Sequence, residues 1–192
     1  MRCFSCFKLS LSVICSTCEA QLLVPTISTR KVGSLDVISF FKYSTLENLL
    51  HTKHKPEGYR VYRYLANLLL KSFMQEFIEN ADGDVYIVGV DEHVKSGYSH
   101  VALLTHAMKM PTSTPQHASL LARNRVNYSG KSLEYRLSHP RDFTYIGKSN
   151  VDVILVDDII TTGITLQEAY AVLTSHGVNV LFALTLADVE ES

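Results

Sequence analysis

The feature that most constrains the fold is the stretch 153–165, where an apolar run passes through a polar turn into a helical pattern. Its first four residues are aliphatic, as in a strand buried on both faces of a parallel sheet. Asp157 and Asp158 follow, and Thr161–Thr165 leads into a helix. A second apolar run lies at 178–186. The order strand, helix, strand predicts an α/β fold with a mostly parallel sheet flanked by helices.

Other segments carry signals of the same fold class. Val61–Asn80 repeats apolar residues at helical spacing, and Val85–Val90 has the composition of a buried strand. We expect another helix over Ser99–Met110 and a strand pair around Ser34–Tyr43. Residues 111–145 are polar and irregular, which is typical of a lid or binding arm in a compact domain.

The composition is that of an ordinary globular chain. Its 192 residues are 46% hydrophobic and 19% charged, with a formal net charge of −1. A charge so close to zero gives no overall attraction to nucleic acid, so such binding would need a local basic face. No apolar run is long enough to predict a transmembrane segment.

All four cysteines lie within the first 18 residues, as two Cys-x-x-Cys pairs. Cys3, Cys6, Cys15 and Cys18 therefore predict a tetrahedral Zn²⁺ site with a structural role, in a reducing compartment. A redox-active thiol pair is the competing interpretation. We place a four-cysteine zinc finger at 1–25 and the α/β domain at 26–192.

The chemistry of the 157–165 stretch suits a phosphorylated sugar. Two adjacent carboxylates at the end of a strand accept hydrogen bonds from vicinal hydroxyls. Gly163 permits close backbone approach, and the amides at a helix start attract an anion. Taken singly, the acidic pair could be a solvated turn and Thr165 an ordinary helix cap. Their combination predicts a ribose-phosphate site.

Residues 153–165 resemble the phosphoribosyl-pyrophosphate motif of type I phosphoribosyltransferases, without a gap. The resemblance implies that the two aspartates hold the ribose hydroxyls and that the loop binds the 5′-phosphate. It also implies a Mg²⁺ carried by the pyrophosphate and ribose oxygens. The predicted ligand-binding residues are Asp157, Asp158, Ile160, Thr161, Thr162, Gly163, Ile164, Thr165 and Lys95.

A four-cysteine unit followed by this core resembles the ComF/ComFC competence family, over nearly the whole chain. The spacing of Gln116 to Asn127, with Arg125 between them, is similar to the family's glutamine-to-asparagine stretch. The resemblance implies a type I phosphoribosyltransferase fold and a cytoplasmic protein, peripheral at the inner face of the membrane. It further implies handling of single-stranded DNA in natural transformation, beside a helicase-like partner.

One departure from the family pattern leaves alternatives open. The stretch after Val90 contains Asp91 and Glu92, with Lys95 as its one fixed cation, so turnover is less secure than ligand binding. The catalytic residues and the acceptor stay unassigned, and a nucleobase-salvage phosphoribosyltransferase or a zinc-dependent scaffold remain alternatives.

Two patches of basic residues are interleaved with tyrosines, among them Tyr62 in the first patch and Tyr128 in the second. Cations there could bind a strand's phosphates and the rings could stack on its bases, or else each patch is a solvated helix face. The candidates for DNA contact are Lys53, Lys55, Arg60, Arg63, Arg123 and Arg125.

Overall fold

A six-stranded sheet forms the centre of the computed structural model, which describes residues 1–90, 97–124, 126, 128 and 130–189. The strands are β1 (Ser28–Val32), β2 (Leu35–Lys42), β3 (Val85–Gly89), β4 (Ser113–Pro115), β7 (Asp152–Ile160) and β8 (Asn179–Asp188). Their order is β1-β2-β8-β7-β3-β4, and every pairing except β1 with β2 is parallel. Strands β5 (Leu120–Ala122) and β6 (Phe143–Tyr145) form a separate antiparallel pair.

Seven α-helices lie in the described part of the chain, and several of them pack on this sheet. They are α1 (Ser16–Leu22), α2 (Tyr43–Leu50), α3 (Gly58–Leu65), α4 (Lys71–Asn80), α5 (His100–Ala107), α6 (Leu133–Ser138) and α7 (Ile164–Ser175). The helix predicted over Val61–Asn80 is confirmed, but it begins at Gly58 and contains a π-helical segment, Ala66–Leu70, between α3 and α4. The Ser99 hydroxyl caps α5 by accepting a hydrogen bond from the Ala102 amide at 3.0 Å.

Both faces of β7 are covered, as the aliphatic run predicted. Ile154 and Val156 belong to one buried cluster, which includes Leu65 of α3. Val153 and Leu155 belong to the other, on the side of α7. The mostly parallel α/β architecture predicted from the sequence is therefore confirmed.

Strand β7 is longer than its apolar run suggested. The predicted strand ended at Val156, whereas β7 continues to Ile160 because its pairing with β8 persists through Ile160 and Asp188. The two aspartates thus lie inside the last part of the strand rather than in the turn after it. Their backbone is held by the sheet, which fixes the direction of both side chains.

The N-terminal cysteine unit shares the core of the larger domain. Cys3, Ile14 and Cys18 are buried in the same cluster as Leu65 of α3. The Tyr64 hydroxyl donates a hydrogen bond to the Glu19 carboxylate, which ties α3 to α1. Within the described part of the chain, no helix combines the length and the hydropathy that crossing a membrane requires.

Candidate functional site

The aspartate pair lies at the carboxyl end of the central strand β7, and both residues are nearly buried. Asp157 is 8% exposed and Asp158 is 4% exposed. The Asp157 carboxylate accepts a hydrogen bond from the Asp158 amide, with Oδ1 2.8 Å from the nitrogen. In open parallel sheets this end of the strands is where ligands bind.

Asp158 is the centre of a buried charge network. Its Oδ2 lies 3.0 Å from Lys53 Nζ, 3.1 Å from the Tyr62 hydroxyl and 3.4 Å from His100 Nε2. Burial by itself would raise the pKa of this carboxyl. The charges of Lys53 and His100, with hydrogen bonds from Lys53 and Tyr62, outweigh that effect and lower the pKa to about 2. Asp158 is therefore ionised at neutral pH.

The partners of Asp158 were not identified from the sequence. Tyr62 was grouped with the tyrosines of a DNA-binding patch, but it is fully buried and hydrogen-bonded to the carboxylate. That part of the stacking hypothesis is wrong, because a buried ring cannot stack on a base. His100 is the first residue of α5 and is 5% exposed. The one sequence signal for these partners was the position of Tyr62, a tyrosine on the apolar face of the helix predicted at 61–80.

The predicted phosphate loop connects β7 to α7. Gly163 has a φ of +81° and stands just before Ile164, the first residue of α7. The carbonyl of Ile160, at the end of β7, accepts a hydrogen bond from the Val189 amide at 2.9 Å. Thr161 and Thr165 line the cavity in front of the aspartates. Threonine hydroxyls and the positive end of a twelve-residue helix make this loop suitable for a phosphate group.

The close approach of Gly163 to β1 gives a stability prediction. A Cβ at this position would lie 2.7 Å from Cγ2 of Val32, in addition to the strain of a positive φ. Gly163→Ala should lower the free energy of unfolding by about 2–3 kcal/mol. Chemical denaturation measures this. The matched control is Gly83→Ala, where φ is +88° and no atom lies within 4 Å of the added Cβ. It should cost about 1 kcal/mol, and equal losses at the two sites would contradict the predicted clash.

Two arginines contact the phosphate loop directly. Arg136, on α6, donates from Nη1 to the Thr161 hydroxyl at 2.6 Å. Arg30, on β1, donates from Nη2 to the Thr161 carbonyl at 2.5 Å and lies 3.3 Å from the Asp188 carboxylate. A third arginine, Arg141, is 7% exposed and also lines the cavity. Arg136 and Arg141 belong to residues 111–145, the polar stretch predicted to be a binding arm. This stretch therefore brings positive charge to the site.

The ring of Tyr128 lies next to two arginines of the arm, the polar stretch 111–145. The guanidinium of Arg141 lies 4.7 Å from the centroid of the Tyr128 ring, and that of Arg136 lies 5.7 Å from it. Tyr128 is 6% exposed and donates a hydrogen bond to the carbonyl of His139 at 2.7 Å. It was named in the second basic patch as a stacking residue, but the arginines occupy its surroundings. The backbone amide of Arg141 is held by the Glu168 carboxylate of α7 at 3.1 Å.

A cavity of about 520 Å³ joins these groups. The two carboxylates lie between two walls of this cavity. One wall is made by α2 and the segment that follows it, and the other is made by the arm and the phosphate loop. The lining residues are Tyr43, Leu50, His51, Lys53, His54, Val126, Tyr128, Gly130, Arg136, Arg141, Asp157, Asp158, Ile159, Thr161, Thr165 and Val189. The volume falls within the ordinary range for a small-molecule site.

The residues proposed for DNA contact fall into different environments. Lys53 is directed at Asp158, whereas Lys55, Arg60 and Arg63 are exposed. Arg123 is exposed and lies 3.9 Å from the Asp142 carboxylate. Lys95, predicted to bind the ligand, and Arg125, predicted to contact DNA, lie outside the residues that the structure describes.

The four cysteine sulfurs form one cluster, all within 4.8 Å of one another. Cys6 Sγ and Cys15 Sγ are 3.8 Å apart, and a tetrahedron with Zn–S bonds of about 2.3 Å has S–S edges of about 3.8 Å. The amides of Ser5 and Cys15 donate to Cys3 Sγ at 3.4 Å and 3.3 Å. Burial alone would raise the pKa of Cys3, but such backbone hydrogen bonds lower it to about 6. The cluster could hold a metal ion such as zinc.

No protein-family model matches the chain, and no curated protein matches it. Its structure is similar to solved phosphoribosyltransferases at low identity. An adenine phosphoribosyltransferase is 16% identical, with 91% of each chain covered and a TM-score of 0.45. That of Saccharomyces cerevisiae is 15% identical over 91% of this chain and 89% of its own, with a TM-score of 0.45. An orotate phosphoribosyltransferase from Aeropyrum pernix is 18% identical over 90% and 80%, with a TM-score of 0.39.

Proposed function

We propose that the chain binds phosphoribosyl pyrophosphate together with Mg²⁺ in the cavity at the end of β7. The observation that carries this proposal is the meeting of two buried carboxylates, Asp157 and Asp158, with the Thr161–Thr165 loop around one cavity. A 5′-phosphate at the loop would accept hydrogen bonds from its amides and from Arg136. The ribose hydroxyls would donate to the carboxylates.

The donor set suits the ligand and its metal. Mg²⁺ prefers oxygen ligands and keeps several that are not from protein, so the ligand's own oxygens would hold most of its coordination shell. When bound, the ion would offset charge on the pyrophosphate. The negative charges of Asp157 and Asp158 would favour positive charge on the ribose as pyrophosphate departs. The reaction proposed is phosphoribosyl transfer to an acceptor, driven mainly by positioning and electrostatics.

Calorimetric titration tests this function. The wild type should bind phosphoribosyl pyrophosphate in the presence of Mg²⁺, and EDTA should weaken the binding. Asp157→Asn should reduce affinity by about tenfold or more, because it removes a charged hydrogen-bond acceptor. Asp152→Asn, an exposed change at the other end of β7, is the matched control and should leave affinity unchanged. Equal affinities for both variants would contradict the proposal.

A role in handling single-stranded DNA, beside a helicase-like competence partner, is the broader function we propose for the same chain. It is supported by three exposed cations, Lys55, Arg60 and Arg63, next to Tyr59, which is 41% exposed. Such a face would bind a strand's phosphates in a salt-sensitive way and stack a base. Fluorescence anisotropy with labelled oligothymidine should show binding that weakens with salt and with replacement of all three cations by glutamine. Binding that is weakened neither by salt nor by replacement of the three cations would contradict this proposal.

The alternative function is nucleobase salvage. It is favoured by the aromatic wall of the cavity, where Tyr43 and His51 make an edge-to-face contact at 6.4 Å and His54 lies close by. Planar rings such as these could pack against a free base. Release of pyrophosphate on adding a purine or pyrimidine would support salvage, and its absence with every base tested would exclude it.

A further inference from the structure

Lys53 lies on the short segment between α2 and α3, and its side chain reaches the aspartate pair. Its Nζ is 3.0 Å from Asp158 Oδ2, and the two side chains are 24% and 6% exposed. The backbone of the segment is fixed, because the Tyr98 hydroxyl donates to the carbonyls of Lys53 and Lys55 at 2.9 Å and 3.1 Å. A change of partner by Lys53 would therefore move only its side chain, while its backbone stays in place.

The Oδ2 atom of Asp158 is crowded. It accepts hydrogen bonds from Lys53 and Tyr62 and has His100 Nε2 3.4 Å away, whereas a carboxylate oxygen has about two lone-pair sites. A ribose hydroxyl that used this oxygen would have to displace one donor. Tyr62 and His100 are 0% and 5% exposed and are held by helices α3 and α5. Lys53 has the longest chain and the greatest exposure, so it is the donor that can leave.

The sheet order indicates where the displaced ammonium would go. β3 and β8 flank β7 on opposite sides, and β1 lies beyond β8. The phosphate loop is in contact with β1, through Arg30 and Val32. Lys53 instead lies next to Tyr98, which follows the stretch after β3. A ligand with its 5′-phosphate on the loop and its ribose at the aspartates would extend its second phosphate group toward the β3 side.

We propose that Lys53 is a ligand-responsive counter-ion, paired with Asp158 in the empty site and transferred to the pyrophosphate group of the bound ligand. The inference rests on the proposed function and deepens it. The stretch after Val90 carries Asp91 and Glu92 with Lys95 as its one fixed cation. Lys53 supplies a positive charge next to Tyr98, from a different part of the chain. The transfer also frees the Asp158 oxygen for a ribose hydroxyl.

Two ligands separate this role from a purely structural ion pair. Lys53→Met should weaken binding of Mg²⁺-phosphoribosyl pyrophosphate by about tenfold, because a charge-assisted contact to the pyrophosphate is lost. The same variant should bind ribose 5-phosphate with unchanged or higher affinity, because a competitor for Asp158 is gone. Lys53→Arg should restore most of the lost affinity. Lys71→Met, at an exposed lysine on α4, is the matched control and should change neither affinity.

A measurement on the unmodified protein covers the case in which Lys53→Met folds poorly. Amine acetylation followed by mass spectrometry should show that phosphoribosyl pyrophosphate protects Lys53 and that ribose 5-phosphate exposes it, with Lys55 unaffected. Equal loss of both affinities in Lys53→Met, or no ligand effect on Lys53 acetylation, would overturn the inference while leaving the ligand site intact. Failure of the wild type to bind phosphoribosyl pyrophosphate would overturn the proposed function itself, and the inference with it.

Discussion

Asp158→Asn should lower the free energy of unfolding at pH 7 by an amount near the lower end of about 3–5 kcal/mol, which is the usual cost of breaking a buried ion pair. The substitution leaves the Lys53 ammonium beside a neutral amide and weakens the hydrogen bond from the Tyr62 hydroxyl. The lower end applies because the Lys53 side chain is 24% exposed and water can solvate part of its charge. Urea denaturation measures the change. Asp152→Asn, an exposed carboxylate on the same strand, should change stability by less than about 0.5 kcal/mol.

The pH dependence gives an independent check on Asp158. Its pKa is about 2 in the folded protein, against an ordinary value of 3.8. A folded-state pKa below the unfolded value means that the ionised form stabilises the fold above about pH 4 and that this contribution is lost as the pH falls through about 2. The stability difference between wild type and Asp158→Asn should therefore shrink over that interval, by about 2 kcal/mol. A constant difference would show that the charge of Asp158 does not matter.

Removal of zinc should disrupt residues 1–25 and destabilise the rest of the chain. Structural zinc sites contribute about 10–16 kcal/mol of binding free energy in small peptides, so a unit of this size depends on its metal for folding. Four thiolates packed this closely would repel one another, so the ionised cluster needs a cation among its sulfurs. The effect should spread, since Cys3, Ile14 and Cys18 are part of the core around α3. Thermal unfolding with a strong chelator should show a lower Tm, restored by added Zn²⁺.

Metal content provides the control for this effect. The purified protein should release about one zinc ion per chain on thiol modification, as a single four-thiolate site requires. Cys6→Ser should lose the metal and the stability together. Ser10→Ala, which removes only local contacts to Ser12, should retain both. The opposite result is a protein that contains no zinc and whose Tm does not change with the chelator. The cysteine cluster would then be a redox site or have no structural role.

The parts of the site that were predictable are those formed by contiguous residues. Asp157, Asp158 and the Thr161–Thr165 loop follow one another in the sequence, so their chemistry is visible as a pattern. The cysteine cluster is equally local, with its four sulfurs supplied by 16 consecutive residues, Cys3–Cys18.

The parts that were missed depend on tertiary packing. Lys53 and Tyr62 are 105 and 96 residues from Asp158 in the sequence, and Arg30 is 131 residues from Thr161. A lysine next to other basic residues has the same local pattern whether it faces solvent or a buried carboxylate. Lys53 and Tyr62 were therefore assigned to a surface patch, although the fold directs both inward.

A crystal structure of the protein with Mg²⁺ and phosphoribosyl pyrophosphate tests the central claim most directly. We expect density for the 5′-phosphate against the amides of residues 161–165 and for the ribose hydroxyls within hydrogen-bond distance of Asp157 and Asp158. We further expect Lys53 Nζ to have moved from Asp158 to a pyrophosphate oxygen. Ligand bound elsewhere, or a cavity that stays without ligand at saturating concentration, would contradict the account.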